Sequence, residues 1–322
     1  MGRPAATETC GVVTSGEAGI VSQALGLADA LGLAQPVVKK VGLRWPWAWA
    51  PNCALLARLA AGSGDELKPP WPDVLISCGR KGAFLSMAVK KASRRKTRIV
   101  HIQDPRGSRR TYDAVIVPAH DRMRGDNVID THGALHRLDT ARLKAEAEAW
   151  RAAVSRLPKP LVTVLVGGNN RYYRMDAAWG RMFGGQLAAM ARARGCGLMV
   201  TGSRRTPPEA MLEIVRALDG VPAMIWDGQG ANPYVGYLAL ADAIIASCDS
   251  ISMISEALST GKPVMLARVP GKARRFEIFF GALEREGFIR WFDGALEIWP
   301  NKPLDDMKIV AGEVWKLLDA VE

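Results

Sequence analysis

Short apolar runs alternate along the chain with longer segments in which apolar residues recur with a helical period. The apolar runs predict strands at Cys10–Thr14, Val37–Val41, Val74–Cys78, Ile99–Ile102, Ala114–Val117, Leu161–Val166, Leu198–Thr201, Ala223–Trp226, Ala243–Ala246 and Val264–Ala267. The helical pattern predicts helices at Val21–Leu31, Lys81–Ala92, Thr140–Ser155, Trp179–Arg194 and Pro208–Leu218, and near Leu304–Val321. Uninterrupted apolar strands that alternate with helices are typical of parallel sheets covered by helices on both faces.

Half of the predicted strands precede residue 157 and half follow it, so the pattern favours two similar sheets over one. A basic, Pro-containing link at Arg156–Pro160 follows a long predicted helix. We therefore expect an N-terminal domain at 1–157, a second domain at 158–303, and a helix at 304–322 that packs back on one of the sheets. The fold class is α/β, with two Rossmann-like, doubly wound domains facing each other across a cleft. GT-B glycosyltransferases, some nucleotide-sugar epimerases and some phosphorylases have this architecture, so the fold alone does not determine a function.

The cysteines and the N-terminus indicate a cytoplasmic setting. The chain of 322 residues has 5 cysteines, an odd number, and none are spaced as Cys-x-x-Cys. Buried reduced thiols explain this pattern best, which favours a reducing compartment. The first residues carry no apolar targeting segment, and no stretch is long and apolar enough to cross a membrane.

The strong positive charge indicates an acidic partner. The net charge is +11 and the pI is about 9.6, with basic clusters at Lys90–Lys96, Arg106–Arg110, Arg204–Arg205 and Lys272–Arg275. An anionic membrane surface and a phosphorylated substrate both fit this charge, and a solvated basic face is the alternative. Nucleic acid is not an expected partner, because the chain has neither a reading motif nor interleaved basic and aromatic residues.

The segment Ser247–Thr260, directly after a predicted strand, combines small hydroxyl residues with two carboxylates. Ligands of open α/β sheets bind outside the carboxyl ends of strands, where helix N-termini and side-chain hydroxyls converge. A carboxylate one turn into the following helix is well placed to accept both hydroxyls of a ribose. The segment therefore predicts half of a nucleotide site, with candidates Asp249, Ser250, Ser252, Met253 and Glu256.

Three further strand ends of the second domain carry groups suited to a nucleotide. Glycines allow close approach to a phosphate and an arginine offers two parallel donors, although a plain turn would also explain the glycines. Ser203 or Thr206 is expected to cap the next helix, and the Asn-rich loop after the following strand is suited to a nucleobase or to a structural turn. The candidates are Gly167, Gly168, Asn169 and Arg171, then Ser203, Arg204 and Arg205, then Asn232, Pro233 and Tyr234.

The strand ends of the first domain offer groups for acid–base chemistry and for an acceptor. Glycosyl transfer with inversion needs a general base for the acceptor hydroxyl. The candidates for that base are Glu17, Asp104, His120 and Asp121, although His120 could instead brace its loop. Candidates for acceptor binding are Gly16, Gly19, Gln23, Arg80 and Arg106. His101 lies within a predicted strand and is expected to be a packed core residue.

The site is expected to work without a metal or other cofactor. The sequence has no Asp-x-Asp pair, and its 4 histidines lack the spacing of a metal site. Helix N-termini and arginines would then stabilise a leaving diphosphate. The stretch Arg44–Pro51, with three tryptophans, suits a lipid interface or a sugar platform, and a buried connection is the alternative.

Many segments along nearly the whole chain resemble the mitochondrial-fission "elongated mitochondria" family. They are GEAGIVSQALGLADALG, ISCGRKG, VHIQDPR, VIVPAHD, NVIDTHGALHRL, LVGGNNRYYR, TGSRRTPPE, NPYVGYLALAD and ASCDSISMISEALSTGKPV. The resemblance implies a GT-B fold and, for bacterial members, a glycosyltransferase activity. The plant founder is linked instead to recruiting a dynamin-related fission factor.

More distantly, the Gly-Gly loop and the helix with Glu256 are similar to the donor site of the N-acetylglucosaminyl transferase that completes lipid II. That similarity implies Glu256 on a ribose, Gly167 and Gly168 near the acceptor or a phosphate, and the Asn232 loop on a uracil-like base. The loop SGEAG departs from the longer glycine- and histidine-bearing loop of that enzyme.

We expect a cytoplasmic, membrane-peripheral glycosyltransferase whose substrate is a nucleotide-diphosphate sugar, of the UDP type. Its acceptor would be an envelope glycan or a lipid-linked molecule. The alternatives are a nucleotide-sugar epimerase of the same fold and a non-catalytic, membrane-associated interaction protein.

Overall fold

The computed structural model describes residues 8–43 and 61–320 of the chain. Its strands are β1 Cys10–Thr14, β2 Val37–Leu43, β3 Ala61–Gly64, β4 Val74–Cys78, β5 Arg98–Ile102, β6 Ala114–Pro118, β7 Val128–Thr131, β8 Leu161–Val166, β9 Gly197–Gly202, β10 Ala223–Ile225, β11 Ala243–Ser247, β12 Val264–Ala267 and β13 Ile289–Trp291. Its helices are α1 Ala18–Ala30, α2 Gly79–Ala92, α3 Thr140–Val154, α4 Ala177–Arg194, α5 Pro208–Ala217, α6 Tyr234–Leu240, α7 Ile251–Ser259, α8 Arg274–Arg285 and α9 Asp306–Asp319. The chain forms two compact units, Met1–Arg137 with Asp305–Glu322, and Leu138–Leu304.

The first unit contains a seven-stranded sheet in the order β3-β2-β1-β4-β5-β6-β7. All neighbours pair in parallel except β3, which is antiparallel to β2. Side chains alternate between the two faces of a strand, and both faces are covered. On one face Val12 and Ile76 pack with α1 and α9, and on the other Ile99 and Val115 pack with α2. The expectation that the closing helix packs back on a sheet is thus confirmed.

The second unit contains a six-stranded parallel sheet in the order β10-β9-β8-β11-β12-β13. From β8 the chain moves outward through β9 to β10, and then returns to the other side of β8 to form β11, β12 and β13. The strand order therefore reverses between β8 and β11, which is where open α/β sheets bind ligands. Both strands are buried along their whole length, as their unbroken apolar runs predict.

Helix α3 belongs to the second unit, so the units divide the chain before this helix, whereas the predicted domain boundary follows it. Trp150 of α3 packs edge-on against Tyr237, with ring centroids 6.0 Å apart. Gly236 permits this contact, because a Cβ there would lie 2.3 Å from the Trp150 ring. Apart from alanines, the apolar residues of α3 are Leu143, Trp150 and Val154, and of these only Val154 is buried, so the sequence of the helix does not show which sheet it joins.

All of the predicted strands are present, and the α/β fold is confirmed, with two sheets that are parallel except for the edge strand β3. Three further strands, β3, β7 and β13, were missed because they are short and have polar or small residues among their positions. Cys10, Cys78, Cys196 and Cys248 are buried free thiols. The tryptophan-containing stretch Arg44–Pro51 lies outside the described residues. Within the described ranges, no helix combines the length and apolarity needed to span a bilayer.

Candidate functional site

The loops after β8 and β11 are joined by hydrogen bonds at the point where the strand order reverses. The Gly167 amide donates to Ser247 Oγ at 2.8 Å, and the Gly168 amide donates to Asp249 Oδ2 at 2.8 Å. Ser247 Oγ in turn donates to Asp249 Oδ1 at 2.6 Å. Burial raises the pKa of Asp249 above its ordinary value, while these hydrogen bonds and the charge of Arg205 act in the opposite direction. Asp249 is therefore a buried acceptor that orders the glycine loop.

Both glycines are required by close packing. A Cβ at Gly167 would lie 2.2 Å from Asp249 Oδ1, and a Cβ at Gly168 would lie 2.2 Å from the backbone of Arg205. The two amides predicted to cradle a phosphate thus bind Ser247 and Asp249 inside the protein. For a ligand at this loop, the exposed side chains, such as Arg171, are the accessible donors.

Substituting Gly167 with alanine should destabilise the protein by about 1–3 kcal/mol, because the new methyl group has to displace a buried carboxylate. Gly185, in the middle of α4, is the matched control, since a Cβ there meets no atom within 4 Å. Gly185→Ala should stabilise by roughly 0.5–1 kcal/mol through helix propensity. Urea unfolding of both variants measures the difference, and equal stabilities would contradict the packing argument.

The loop after β9 is fastened to the glycine loop by hydroxyl groups. Ser203 Oγ donates to the Gly167 carbonyl at 2.8 Å, and Thr206 Oγ1 donates to the Val166 carbonyl at 3.0 Å. The prediction that Ser203 or Thr206 caps α5 is wrong: the N-cap is Pro207, which provides no side-chain hydrogen bond. Arg204 and Arg205, in the same loop, are exposed, and the Arg205 carbonyl accepts from the Asn169 amide of the glycine loop at 3.1 Å.

The first residue of α6, Tyr234, contacts the carboxylate predicted to bind a ribose. Asn232 Oδ1 accepts from the Tyr234 amide at 3.0 Å across Pro233, the N-cap of α6. The Tyr234 hydroxyl donates to Glu256 Oε2 at 2.5 Å. Burial raises the pKa of Glu256, partly offset by the Tyr234 hydrogen bond and the charge of Arg142. The structure thus brings together Tyr234 and Glu256, which the sequence placed on separate strand ends.

The first turn of α7 is capped by Ser250, whose Oγ accepts from the Met253 amide at 3.4 Å. Ser252 lies in the same turn and is half-buried. Because the first amides of a helix have no partner within the helix, this turn is electropositive and faces the end of β11.

The remaining polar residues of the glycine loop differ in their roles. Arg171 lies over the ring of Tyr172, 4.3 Å from its centroid, and donates to its hydroxyl. Asn169 Oδ1 accepts from the Met175 amide at 2.6 Å. Asn170 Nδ2 donates to the Asp249 carbonyl at 3.1 Å. Sequence reasoning missed Asn170, and its position between the glycines and Arg171 was the available signal.

In the first unit, the candidate residues follow four adjacent strands, β1, β4, β5 and β6, at one edge of the sheet. Burial tends to raise the pKa of Glu17, but the hydrogen bond from Ser15 and the charge of Lys81, 3.9 Å away, leave it below its ordinary value. Gln103 Nε2 donates to Gln23 Oε1 at 3.4 Å. Gly16 has a φ of 92°, which suits glycine, and Gly19 has open space around it.

The other predicted acid–base groups are held in local contacts. Asp104 Oδ1 accepts from the Arg106 amide at 2.7 Å and so fixes a turn. His120 is buried, and its Nε2 lies 3.8 Å from Asp121 Oδ1. Arg80 and Arg106 are exposed. The histidine assigned to the core, His101, is fully buried, which confirms that prediction.

No cluster of three or more His, Cys, Asp or Glu side chains in the described part of the chain has the arrangement of a metal site. The polar groups at the strand ends are instead amides, hydroxyls, guanidinium groups and single carboxylates.

Solved structures of nucleotide-sugar proteins share this fold. The UDP-GlcNAc 2-epimerase of Methanocaldococcus jannaschii aligns with a TM-score of 0.53 and 11% identity, covering 98% of this chain and 99% of that one. A UDP-glucosyltransferase from Polygonum tinctorium, capable of glucosylating indoxyl and solved in complex with 3,4-dichloroaniline, aligns with a TM-score of 0.50 and 12% identity, covering 98% of this chain and 94% of that one. At these identities the similarity shows the fold, and it confirms the GT-B-like class.

Similarity in sequence identifies the family. The mitochondrial fission protein ELM1 of Arabidopsis thaliana is 32% identical over 276 residues, which cover 77% of this chain and 64% of the plant protein. This chain thus spans less than two thirds of that relative. An uncharacterized protein of Rickettsia prowazekii is 28% identical over 280 residues, covering 74% of this chain and 78% of the other. A family model described as Mitochondrial fission ELM1 matches residues 18–318, and the chain belongs to that family.

Proposed function

We propose that the protein is a GT-B glycosyltransferase that transfers a sugar from a nucleotide-diphosphate sugar. One observation carries the proposal: Tyr234 and Glu256 meet in a half-buried pair, in the same unit as the electropositive start of α7 and the exposed arginines after β8 and β9. A nucleoside diphosphate has a diol that a carboxylate binds and a diphosphate that arginines and helix amides bind. These strand ends offer both kinds of group.

In this proposal Glu256 accepts the two ribose hydroxyls, and the loop at Asn232 binds the base. Arg204 and Arg205, together with the first turn of α7, neutralise the diphosphate as it leaves. Asp249 does not touch the ligand, because its oxygens already accept hydrogen bonds from Gly168 and Ser247. It acts by holding the glycine loop in place.

The acceptor side of the proposal rests on the first unit. Glu17 is the first candidate for the base that takes the proton of an acceptor hydroxyl, because its carboxylate is ionised at neutral pH, although its lowered pKa makes it a weaker base. His120 with Asp121 is the second candidate for the base. An envelope glycan or a lipid-linked acceptor, reached at an anionic membrane surface, is consistent with the positive charge of the chain.

Calorimetric titration with UDP tests the donor site. Glu256→Gln should weaken binding about tenfold, because a carboxylate accepts hydrogen bonds from a diol more strongly than an amide does. Tyr234→Phe should tighten binding, since it frees Glu256 from a hydrogen bond that competes with the ribose. The matched control is Glu148→Gln, which changes an exposed glutamate on α3.

Absence of binding to UDP and to the other nucleoside diphosphates would refute the proposed donor site. Equal affinities of wild type and Glu256→Gln would refute the assigned role of Glu256. If UDP binds and a free UDP-sugar is converted into its epimer without an acceptor, the protein is an epimerase.

One observation favours a second candidate, a non-catalytic interaction protein. The amides of Gly167 and Gly168 and both carboxylate oxygens of Asp249 have partners within the protein, and Glu256 Oε2 accepts a hydrogen bond from Tyr234. A site whose polar groups bind each other does not need a ligand to complete it. This candidate predicts that Glu256→Gln leaves cellular function unchanged.

A further inference from the structure

A cavity of about 310 Å³ lies in the second unit beside the ends of β11, β12 and β13. Cys248 follows β11, Arg268 follows β12, and Trp291 is the last residue of β13. Helix α8 closes the other side with Glu277 and Glu284. The cavity is therefore at the same edge of the sheet as the proposed nucleotide site, on the side of β11 that faces away from β8.

The wall of this cavity is built by backbone pairing between two loops. Tyr173 forms an antiparallel bridge with Gly271, and the Arg174 amide donates to the Pro270 carbonyl at 2.9 Å. Gly271 has a φ of 134°, and a Cβ there would lie 2.0 Å from the Tyr172 carbonyl, so the approach requires glycine. The loop after β12 is thus fixed to the loop after β8.

The cavity combines an aromatic interior with a charged rim. Tyr173 and Phe280 are buried in its floor. At the rim the Arg268 guanidinium lies over the Trp291 ring, 3.9 Å from its centroid, and Lys272 Nζ is 3.3 Å from Glu277 Oε1.

The charges of the rim decide which ligand fits. The cations Arg268 and Lys272 are matched by the carboxylates of Glu277 and Glu284, so the rim does not select an anion. Carboxylates accept hydrogen bonds from hydroxyl groups, and an aromatic wall packs against C–H groups. A neutral ring with many hydroxyl groups satisfies both, and the volume lies within the range of small-ligand pockets.

Hydrogen bonds connect the cavity to the point between β8 and β11. Asn170 Nδ2 donates to the Asp249 carbonyl at 3.1 Å, and Asn170 Oδ1 accepts from the Tyr173 amide at 3.0 Å. Burial raises the pKa of Tyr173 to about 12, and the charges of Cys248, Glu277 and Asp249 add to the effect. Tyr173 is thus close both to Glu277 of the cavity and to Asp249 at the proposed nucleotide site.

We infer that this cavity binds the sugar of the nucleotide sugar, with Glu277 and Glu284 accepting hydrogen bonds from its hydroxyls. The inference rests on the proposed function, since it assumes a nucleotide bound across β8 and β11. Cys248, which lines the cavity, lies just before the first turn of α7. A diphosphate bound at that turn would therefore connect a nucleoside across β8 and β11 to a sugar in the cavity.

Calorimetry with two probes tests the inference: UDP alone, and the UDP-sugars UDP-GlcNAc and UDP-glucose. The variants are Glu277→Gln and Glu284→Gln, which alter exposed rim groups and spare the buried core. We expect each to weaken binding of a UDP-sugar by roughly tenfold and to leave UDP affinity unchanged. Glu286→Gln, just beyond the end of α8 and outside the cavity, is the matched control.

The outcomes separate the inference from the function on which it rests. Loss of UDP-sugar affinity at unchanged UDP affinity supports a sugar subsite in this cavity. UDP binding that is tight in every variant, with no separate effect on the UDP-sugars, overturns the subsite and leaves the donor site standing. Failure of the wild type to bind UDP and the UDP-sugars overturns both. Thermal unfolding of each variant checks that the fold is intact.

Discussion

Asp249→Ala is expected to lower the free energy of unfolding by roughly 2–6 kcal/mol. Asp249 is 2% exposed and accepts hydrogen bonds from the Gly168 amide and the Ser247 hydroxyl. Alanine would leave both donors buried without their partner, and each unsatisfied group costs about 1–3 kcal/mol. Urea unfolding at pH 7 measures the loss.

Asp249→Asn should be less harmful than Asp249→Ala. Its amide oxygen still accepts from Gly168, and the Ser247 hydroxyl can rotate to accept from the amide nitrogen. Asp227→Ala is the control, because Asp227 is exposed and accepts from the Gln229 amide in a surface turn, so its loss should be below about 1 kcal/mol. An Asp249→Ala protein as stable as this control would contradict the structural role.

The Asp249→Asn variant also distinguishes a structural role of Asp249 from a role in ligand binding. If Asp249 only holds the glycine loop, Asp249→Asn should keep most of the UDP affinity while Glu256→Gln loses it. If Asp249→Asn is as stable as the wild type but no longer binds UDP, the Asp249 side chain contacts the ligand instead.

The sequence predicts the central strands well because local pattern decides them. Strands β8 and β11 are unbroken apolar runs, and only a strand covered on both faces needs such a run. The edge strand β13 is different: it has three residues, and Arg290 in its middle is exposed. Its place in the sheet comes from pairing with β12, which is a long-range contact that no local pattern encodes.

The sequence predicts which residues lie at the candidate site better than it predicts the contacts between them. Four strand ends were expected to carry polar groups, and they do. That Gly167 packs on Asp249, and that Tyr234 reaches Glu256, depends on contacts between distant parts of the chain. A glycine required by a phosphate and a glycine required by a buried carboxylate look alike in sequence, because both permit close approach.

Lowering the pH should destabilise the protein through His101, by about 2 kcal/mol at pH 5 and by roughly 5 kcal/mol as the pH approaches 3. His101 is fully buried in β5, and burial lowers its pKa from 6.5 to about 3. Between those two values the unfolded chain binds one proton more than the folded protein, so stability is complete above pH 6.5 and is lost as the pH falls.

The surroundings of His101 explain why it stays neutral. Its Nδ1 lies 2.8 Å from Ser77 Oγ, its ring is 5.1 Å from that of Tyr112, and its Nε2 has no hydrogen-bond partner within the described ranges. A protonated ring would bury a charge with no counter-ion beside it, and such a charge is strongly unfavourable in a protein interior. The neutral ring avoids that penalty until acid forces protonation.

Chemical unfolding of wild type and His101→Phe at pH 7 and pH 5 isolates this contribution. Phenylalanine keeps a ring of similar size and does not titrate, so the variant should lose about 2 kcal/mol less than wild type between the two pH values. Ser77→Ala removes a hydrogen bond but keeps the histidine, and should retain the wild-type pH dependence. Because carboxylates titrate equally in all three proteins, any difference in how the free energy of unfolding changes between pH 7 and pH 5 comes from His101. An equal change in wild type and His101→Phe would show that protonation of His101 is not coupled to folding.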